Sequence, residues 1–151
     1  MRAVIQRVLR AKITAGGREV AAISRGILVF LAVQRGDGEA DVEYISRKIF
    51  SLRIFPSEDG KKESELSVFD VGGEICLVPQ FTLAGDARKG NRPSYSDAEE
   101  PEIARKLFSM VLAALERKGH SVVSGAFREH MQVEIINDGP YTVMLDSKKK
   151  F

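Results

Sequence analysis

Few side chains in this chain are equipped for chemistry. Its 151 residues include two histidines, His120 and His130, and one cysteine, Cys76. Metal sites need clustered His, Cys and carboxylate ligands. The histidines stand apart across a glycine-broken stretch with no third ligand at matching spacing, so no metal is expected and each reads as a surface or strand-edge residue. Cys76 lies among apolar neighbours and reads as a buried, inert thiol. A lone cysteine also excludes an intrachain disulfide. The chain has no G-x-S-x-G elbow and neither of the phosphate-binding glycine motifs, and nothing selects a serine to pair with a histidine. No cofactor is expected, and any catalysis rests on something other than a standard side-chain constellation.

Three segments remain. In Pro79-Gln80-Phe81-Thr82-Leu83, Thr82 is either a nucleophile or a strand-end threonine that hydrogen-bonds the backbone. A strand running out into a loop there can leave two backbone N–H groups unpaired, ready to hold a developing oxyanion. Arg88-Lys89-Gly90-Asn91-Arg92-Pro93-Ser94-Tyr95 combines three cations with an aromatic. It is either a solvated charged loop or a segment suited to phosphate and base contacts. Asn137-Asp138-Gly139-Pro140-Tyr141-Thr142 is either a plain turn between two strands or a cis X–Pro bond. A Gly-Pro pair can present bare carbonyl oxygens where any Cβ would clash.

The elements that must position these segments follow from hydrophobic spacing. Residues 3–24 alternate around Gly16-Gly17 and predict a hairpin. The near-continuous apolar run over 26–33 predicts a central strand covered on both faces. Val42, Ile45, Ile49 and Leu52 predict a helix over 39–52, with Glu39 and Asp41 suiting its first turn. Short strands are expected over 53–55 and 74–78, with a charged loop over 58–65 and a weakly extended 66–71. Residues 85–100 lack any period and read as a long loop, of the kind that is often functional. Pro101 opens a second helix, with Ile103, Leu107, Met110, Val111, Ala114 and Leu115 on one face, ending at Gly119. The last strands are expected over 121–123, 131–136 and 141–145, with a turn at Gly139-Pro140 and a frayed tail over 148–151. Many strands and two helices on one side of sheet layers give a single α/β or α+β domain over 1–151.

Composition is that of an ordinary globular protein, 44% hydrophobic and 29% charged with a net charge of +2. Such a balance neither demands nor excludes a nucleic acid, so a basic site must be local. No apolar stretch approaches the ~20 residues of a membrane span, and the opening residues lack a signal-peptide core. No membrane partner is expected, and a cytoplasmic location follows by default.

Taken together, the three segments resemble the D-aminoacyl-tRNA deacylase family of bacteria and eukaryotes. That family carries two signature strings, S-Q-F-T-L and N-x-G-P-x-T, matched here by Pro79-Gln80-Phe81-Thr82-Leu83 and Asn137-Asp138-Gly139-Pro140-Tyr141-Thr142. The likeness extends to Met1-Arg2-Ala3-Val4-Ile5-Gln6-Arg7-Val8, Arg53-Ile54-Phe55, Asp70-Val71-Gly72-Gly73-Glu74, Arg88-Lys89-Gly90-Asn91-Arg92-Pro93 and Met131-Gln132-Val133. The resemblance implies an α/β fold of three β/β/α layers that forms a homodimer acting on aminoacyl-tRNA. It implies a cis Gly139-Pro140 that reaches Gln80, Phe81 and Thr82 of the partner subunit, with Arg7 fixing the Gly-Pro loop. Backbone N–H groups near Phe81 and Thr82 become the oxyanion donors, and the substrate's own ribose hydroxyl assists. Pro79, Arg88, Lys89, Arg92, Met131 and Asn137 become substrate or tRNA contacts. Handedness is then filtered by main-chain carbonyls that admit an α-hydrogen but reject an L side chain. Glycyl-tRNA, which has no Cβ, should slip through.

Three departures stand out. Pro79 replaces the family's serine, removing an N–H and a hydroxyl. Pro79 and Tyr141 lean towards the related animal tRNA deacylases, which carry P-Q-A-T-L and T-N-G-P-Y-T and a trans Gly-Pro, whereas Phe81 and Asn137-Asp138 stay with the D-specific family. The segment 61–67 is longer and more acidic than the family's. The alternatives to a D-specific deacylase are a deacylase for an L-amino acid mischarged on tRNA and a non-catalytic tRNA-binding dimer.

Overall fold

The computed structural model describes residues 1–150. One long strand organises it. β1 (Arg2–Ala15) hairpins through Gly16 and Gly17, both at positive φ, into β2 (Arg18–Ile23), which leads to β3 (Gly26–Ala32). The first half of β1 pairs antiparallel with β3 (Arg2 opposite Ala32, Val8 opposite Gly26) and its second half with β2. After α1 (Glu39–Ser51), β4 (Arg53–Phe55) and β5 (Leu66–Ser67) form a separate two-stranded ribbon. β6 (Glu74–Pro79) and β7 (Val122–Ser124), on either side of α2 (Pro101–Glu116), extend the main sheet in parallel beyond β3. β8 (Met131–Asp146) runs antiparallel along the other edge of β1, interrupted at 138–141.

β3 is covered on both faces, as its apolar run predicts, and the two faces belong to two cores. On one side Ile27, Val29, Leu31, Ile75 and Leu77 pack against Ile45 and Ile49 of α1 and Leu107, Val111 and Leu115 of α2. On the other, Leu28, Cys76 and Val78 meet Val8, Ala11, Ile13, Ala21 and Ile23, with Met131, Val133 and Ile135 of β8 beside them. The curled β1–β2–β8 layer, the central strands and the helices thus form the three β/β/α layers. Burial pushes the Cys76 thiol up to about 12, so at neutral pH it is a protonated core side chain. Gly26 is forced by close approach, since a Cβ there would lie 1.9 Å from the Glu74 carbonyl oxygen.

Two expectations are corrected. Gly139-Pro140 is no turn between strands: 131–136 and 141–145 belong to one strand, β8, paired with β1 before and after the motif. Alternating burial on both sides resembles two strands, and a bulge and a turn carry the same local signal. The extended segment at 66–71 shrinks to Leu66–Ser67, because the Asp70 carboxylate takes the Ser67 N–H and hydroxyl (2.8 and 2.7 Å) and closes a turn. Near the end of the described chain, Lys148 Nζ donates to Arg35 O (2.9 Å) and pairs with Asp37 (3.0 Å), and Lys149 N–H donates to Asp146 O (3.0 Å). Phe151 lies outside the described residues. No helix among the described residues is long and apolar enough to cross a membrane.

Candidate functional site

β6 ends where Pro79, having no N–H, can no longer serve as a donor in the ladder. Gln80 N–H still donates to Leu31 O (2.8 Å), and the chain then winds into a 3₁₀ turn, Phe81–Ala84. Leu83 N–H closes the turn onto Gln80 O (3.2 Å). A helical start leaves its first N–H groups without intrahelical acceptors. Here those are the N–H groups of Phe81 and Thr82, which have no carbonyl partner among the described residues. Both residues are exposed. The Thr82 hydroxyl accepts a hydrogen bond from the Gln80 side-chain amide, and among the described residues no histidine or carboxylate is hydrogen-bonded to it. Two unpaired donors without an activated nucleophile are suited to stabilising an oxyanion rather than to forming a covalent intermediate through a side chain.

Beside this turn opens a cleft of about 590 Å³. Its apolar floor includes Leu31, Pro79, Phe108, Phe127 and Met131, and Gln80, Glu99, Arg128 and His130 stand at its polar rim. Arg105 of α2 lies 4.5 Å from the Phe127 ring centroid. A mostly apolar cleft with a few polar groups suits an apolar ring system carrying polar substituents. Tyr95, from the 85–100 loop, meets Phe81 edge-on at 5.2 Å.

The second predicted segment lies elsewhere in the chain. Gln6 stands opposite Thr142 and Val8 opposite Asn137, so four residues, 138–141, bulge out across from Arg7 alone. The Gly139–Pro140 bond is cis. The bulge loses its ladder hydrogen bonds, and Arg7 replaces them. Its guanidinium, almost fully buried, donates from Nε to Asp138 O (3.0 Å), from Nη2 to Gly139 O (3.1 Å) and from Nη1 to Ile54 O (2.7 Å). It also pairs with the Asp138 carboxylate at 3.1 Å and lies over the Tyr141 ring. Gly139, Pro140 and Asn137 are exposed.

Of the sequence-predicted residues, then, Pro79, Gln80, Phe81 and Met131 share the cleft, with Thr82 adjoining. Arg7, Gly139 and Pro140 form a separate group. Ala3 pairs with Leu31, which pairs with Pro79, whereas the bulge lies across from Arg7. Four residue steps along β1 separate the groups, about 13 Å along the strand. Within one chain the two do not meet. A Cβ on Gly139 would find nothing within 4 Å, so nothing in the chain itself requires glycine there. Arg88 is turned back on its own loop, bonded to Asp86 at 2.6 and 2.9 Å. That contact holds the Asp86 carboxyl well below the usual range and raises the Arg88 guanidinium. Lys89 and Arg92 are exposed. The cleft residues Phe108, Phe127, Arg128 and His130 escape a sequence reading, because helix α2, the 125–130 loop and β6 are brought together only by the fold. Arg128 does carry one structural mark, a positive φ of 65°. Among the described residues no three of His, Cys, Asp and Glu cluster as metal ligands.

Comparison with known proteins agrees along the whole chain. The family model described as D-Tyr-tRNA(Tyr) deacylase matches residues 4–146. A curated relative from Heliobacterium modesticaldum, named D-aminoacyl-tRNA deacylase, is 52% identical over 148 residues, covering 98% of this chain and 97% of its own. One of the same name from Syntrophobacter fumaroxidans is 48% identical over the full length of both. Among solved structures, one titled c-Myc DNA Unwinding Element Binding Protein superposes with a TM-score of 0.90 at 42% identity, covering 97% of this chain and 98% of that one. Another, titled as a probable eukaryotic D-amino acid tRNA deacylase, has a TM-score of 0.81 at 16% identity, covering 95% and 97%, and shares the fold.

Proposed function

The chain belongs to the D-Tyr-tRNA(Tyr) deacylase family, and we propose that it hydrolyses the ester of D-aminoacyl-tRNA, releasing a free D-amino acid and tRNA. Water adds to the ester carbonyl, and the negative charge that develops on its oxygen is held by the Phe81 and Thr82 N–H groups. Collapse expels the terminal ribose oxygen, which leaves with a proton. Gln80 fixes the Thr82 side chain, so the threonine positions rather than attacks. The terminal adenosine takes the cleft over Phe127 and Met131, and Lys89 and Arg92, with Arg88 less engaged, meet the phosphates beyond it.

Chirality is read by the bulge of a second copy. The observation that carries this reading is the open space around Gly139: a glycine its own chain does not need is one that something outside the chain needs. The span of about 13 Å along β1 between the bulge and the 3₁₀ turn supports supply in trans. So does the outer edge of β8, a long strand paired among the described residues only with β1. In a homodimer the carbonyl oxygens held by Arg7 then exclude an L side chain and admit glycine.

The test is a time course on D-tyrosyl-tRNA, L-tyrosyl-tRNA and glycyl-tRNA. Loss of the D- and glycyl esters with the L-ester intact is expected. Equal slow loss of all three would mean the catalytic reading is wrong, and release of an L-amino acid would reassign the specificity.

A further inference from the structure

The chirality role proposed above stops at Gly139 and Pro140, but the contacts that hold them continue outward. Tyr141 follows the motif directly, and its half-buried ring lies under the Arg7 guanidinium, 4.4 Å from carbon to ring centroid. The phenol oxygen shares a short hydrogen bond with the Ser64 hydroxyl. Ser64 belongs to the charged loop at 57–65, which is a built structure. Ser57 N–H donates to Lys62 O (2.7 Å), Glu65 N–H donates to Phe55 O (2.9 Å), and the Asp59 carboxylate takes the Ser57 hydroxyl (2.6 Å) and the Lys61 N–H (3.1 Å). The root of the same loop, Ile54 O, is the third acceptor of Arg7. Loop and bulge therefore close a ring of contacts through Ile54, Arg7, Tyr141 and Ser64.

We propose that Tyr141 is a positioning residue for the Gly139 carbonyl, and that the 57–65 loop acts on the site through it. The inference rests on the deacylase reading above. Its physical basis is that the bulge has no strand partner to hold it, so the Gly139 oxygen stands wherever the guanidinium stands. Three hydrogen bonds orient that group in its plane. The aromatic face limits its motion out of the plane, because a cation is held over the ring centre. The ring in turn is kept from swinging by its bond to Ser64. A filter that rejects a side chain by contact needs its oxygens fixed to a fraction of an ångström. The sequence places a tyrosine and a long loop at the two positions that supply this clamp.

The experiment is hydrolysis of D- and L-tyrosyl-tRNA by the full chain and its variants, with melting curves in parallel. Y141L should raise L-ester hydrolysis relative to D-ester about tenfold. Y141F and S64A should each raise it about threefold, and the double variant should match either single, since both remove one bond. K61A, in the same loop but outside the ring of contacts, should leave the ratio unchanged. A merely structural role would lower the melting temperature and leave the ratio alone. Folded Y141F and S64A with wild-type ratios, or effects that multiply in the double variant, would overturn the proposal; these two decide it even if Y141L fails to fold. Wild-type protein inert on D-tyrosyl-tRNA would instead bring down the deacylase reading on which the proposal rests.

Discussion

The 3₁₀ turn at Phe81–Ala84 and the bulge at 138–141 are both breaks in regular strands, yet they are held by different means. The turn is closed by its own neighbours: Leu83 N–H on Gln80 O, Gly85 N–H on Thr82 O, and the Gln80 side chain bonded to Thr82. The bulge depends on one distant side chain, Arg7, and through it on Ile54. A backbone-closed turn tolerates side-chain change, because its donors are main-chain atoms. A side-chain-held bulge is as fragile as the residue that holds it. The difference separates the two tasks proposed for them: chemistry that any ester needs, and a filter that must be exact in position.

The largest effect should come from removing that single support. Arg7→Ala deprives three carbonyl oxygens of their donor and should cost about 4 kcal/mol of stability in urea unfolding, with discrimination lost in whatever remains folded. A loss under about 1 kcal/mol would show that the bulge holds itself. Next is Gly139→Ala. Its Cβ meets nothing in the chain, so stability should stay within about 0.5 kcal/mol, while D-ester hydrolysis should fall about 100-fold. Unchanged turnover would end the cross-subunit reading, as would a monomer at working concentration that still discriminates.

On the turn, Thr82→Val should retain measurable hydrolysis, within about tenfold of wild type, because the backbone N–H groups remain. Complete inactivity in a folded protein would return the hydroxyl to the mechanism. Smaller still, Lys89→Ala with Arg92→Ala should reduce the slope of log affinity against log salt by about 1.4 for a single-stranded acceptor end and leave single-turnover rates unchanged. The slightest effect is structural. Hydrogen bonds from Ser67 hold the Asp70 carboxyl below its ordinary 3.8. Its contribution is therefore full at neutral pH and lost as pH falls through the lower folded value. The melting-temperature advantage of wild type over Asp70→Asn should shrink on acidification below 3.8 and vanish in strong acid. An advantage independent of pH would assign the effect to packing.

Of the two regions, the turn is the more legible in the sequence. Pro79 after an apolar run announces the end of a strand, and the N–H groups beyond it are unpaired by local geometry. The bulge is legible as a motif but not as a shape: Gly139-Pro140 reads equally as a turn, and the partners that decide it, Arg7 and Ile54, lie far off along the chain. The cleft is legible at one wall. Phe108 shows only as one apolar position in a helix, and Phe127 has no periodic context at all.

Hydrophobic spacing alone is enough for the two helices, the doubly covered β3 and a layered domain of mixed α and β elements, because burial imposes its period locally on each element. Glycine, proline and the lone cysteine likewise limit the chemistry, since they say which backbone shapes and which nucleophiles are at hand. Folding decides the rest: that β8 is one strand, that Arg7 supplies the bulge's missing hydrogen bonds, that several elements enclose a cleft, and that turn and bulge lie apart within one chain. Those facts depend on pairings between residues far apart along the chain, and no local pattern carries the free energy that selects them.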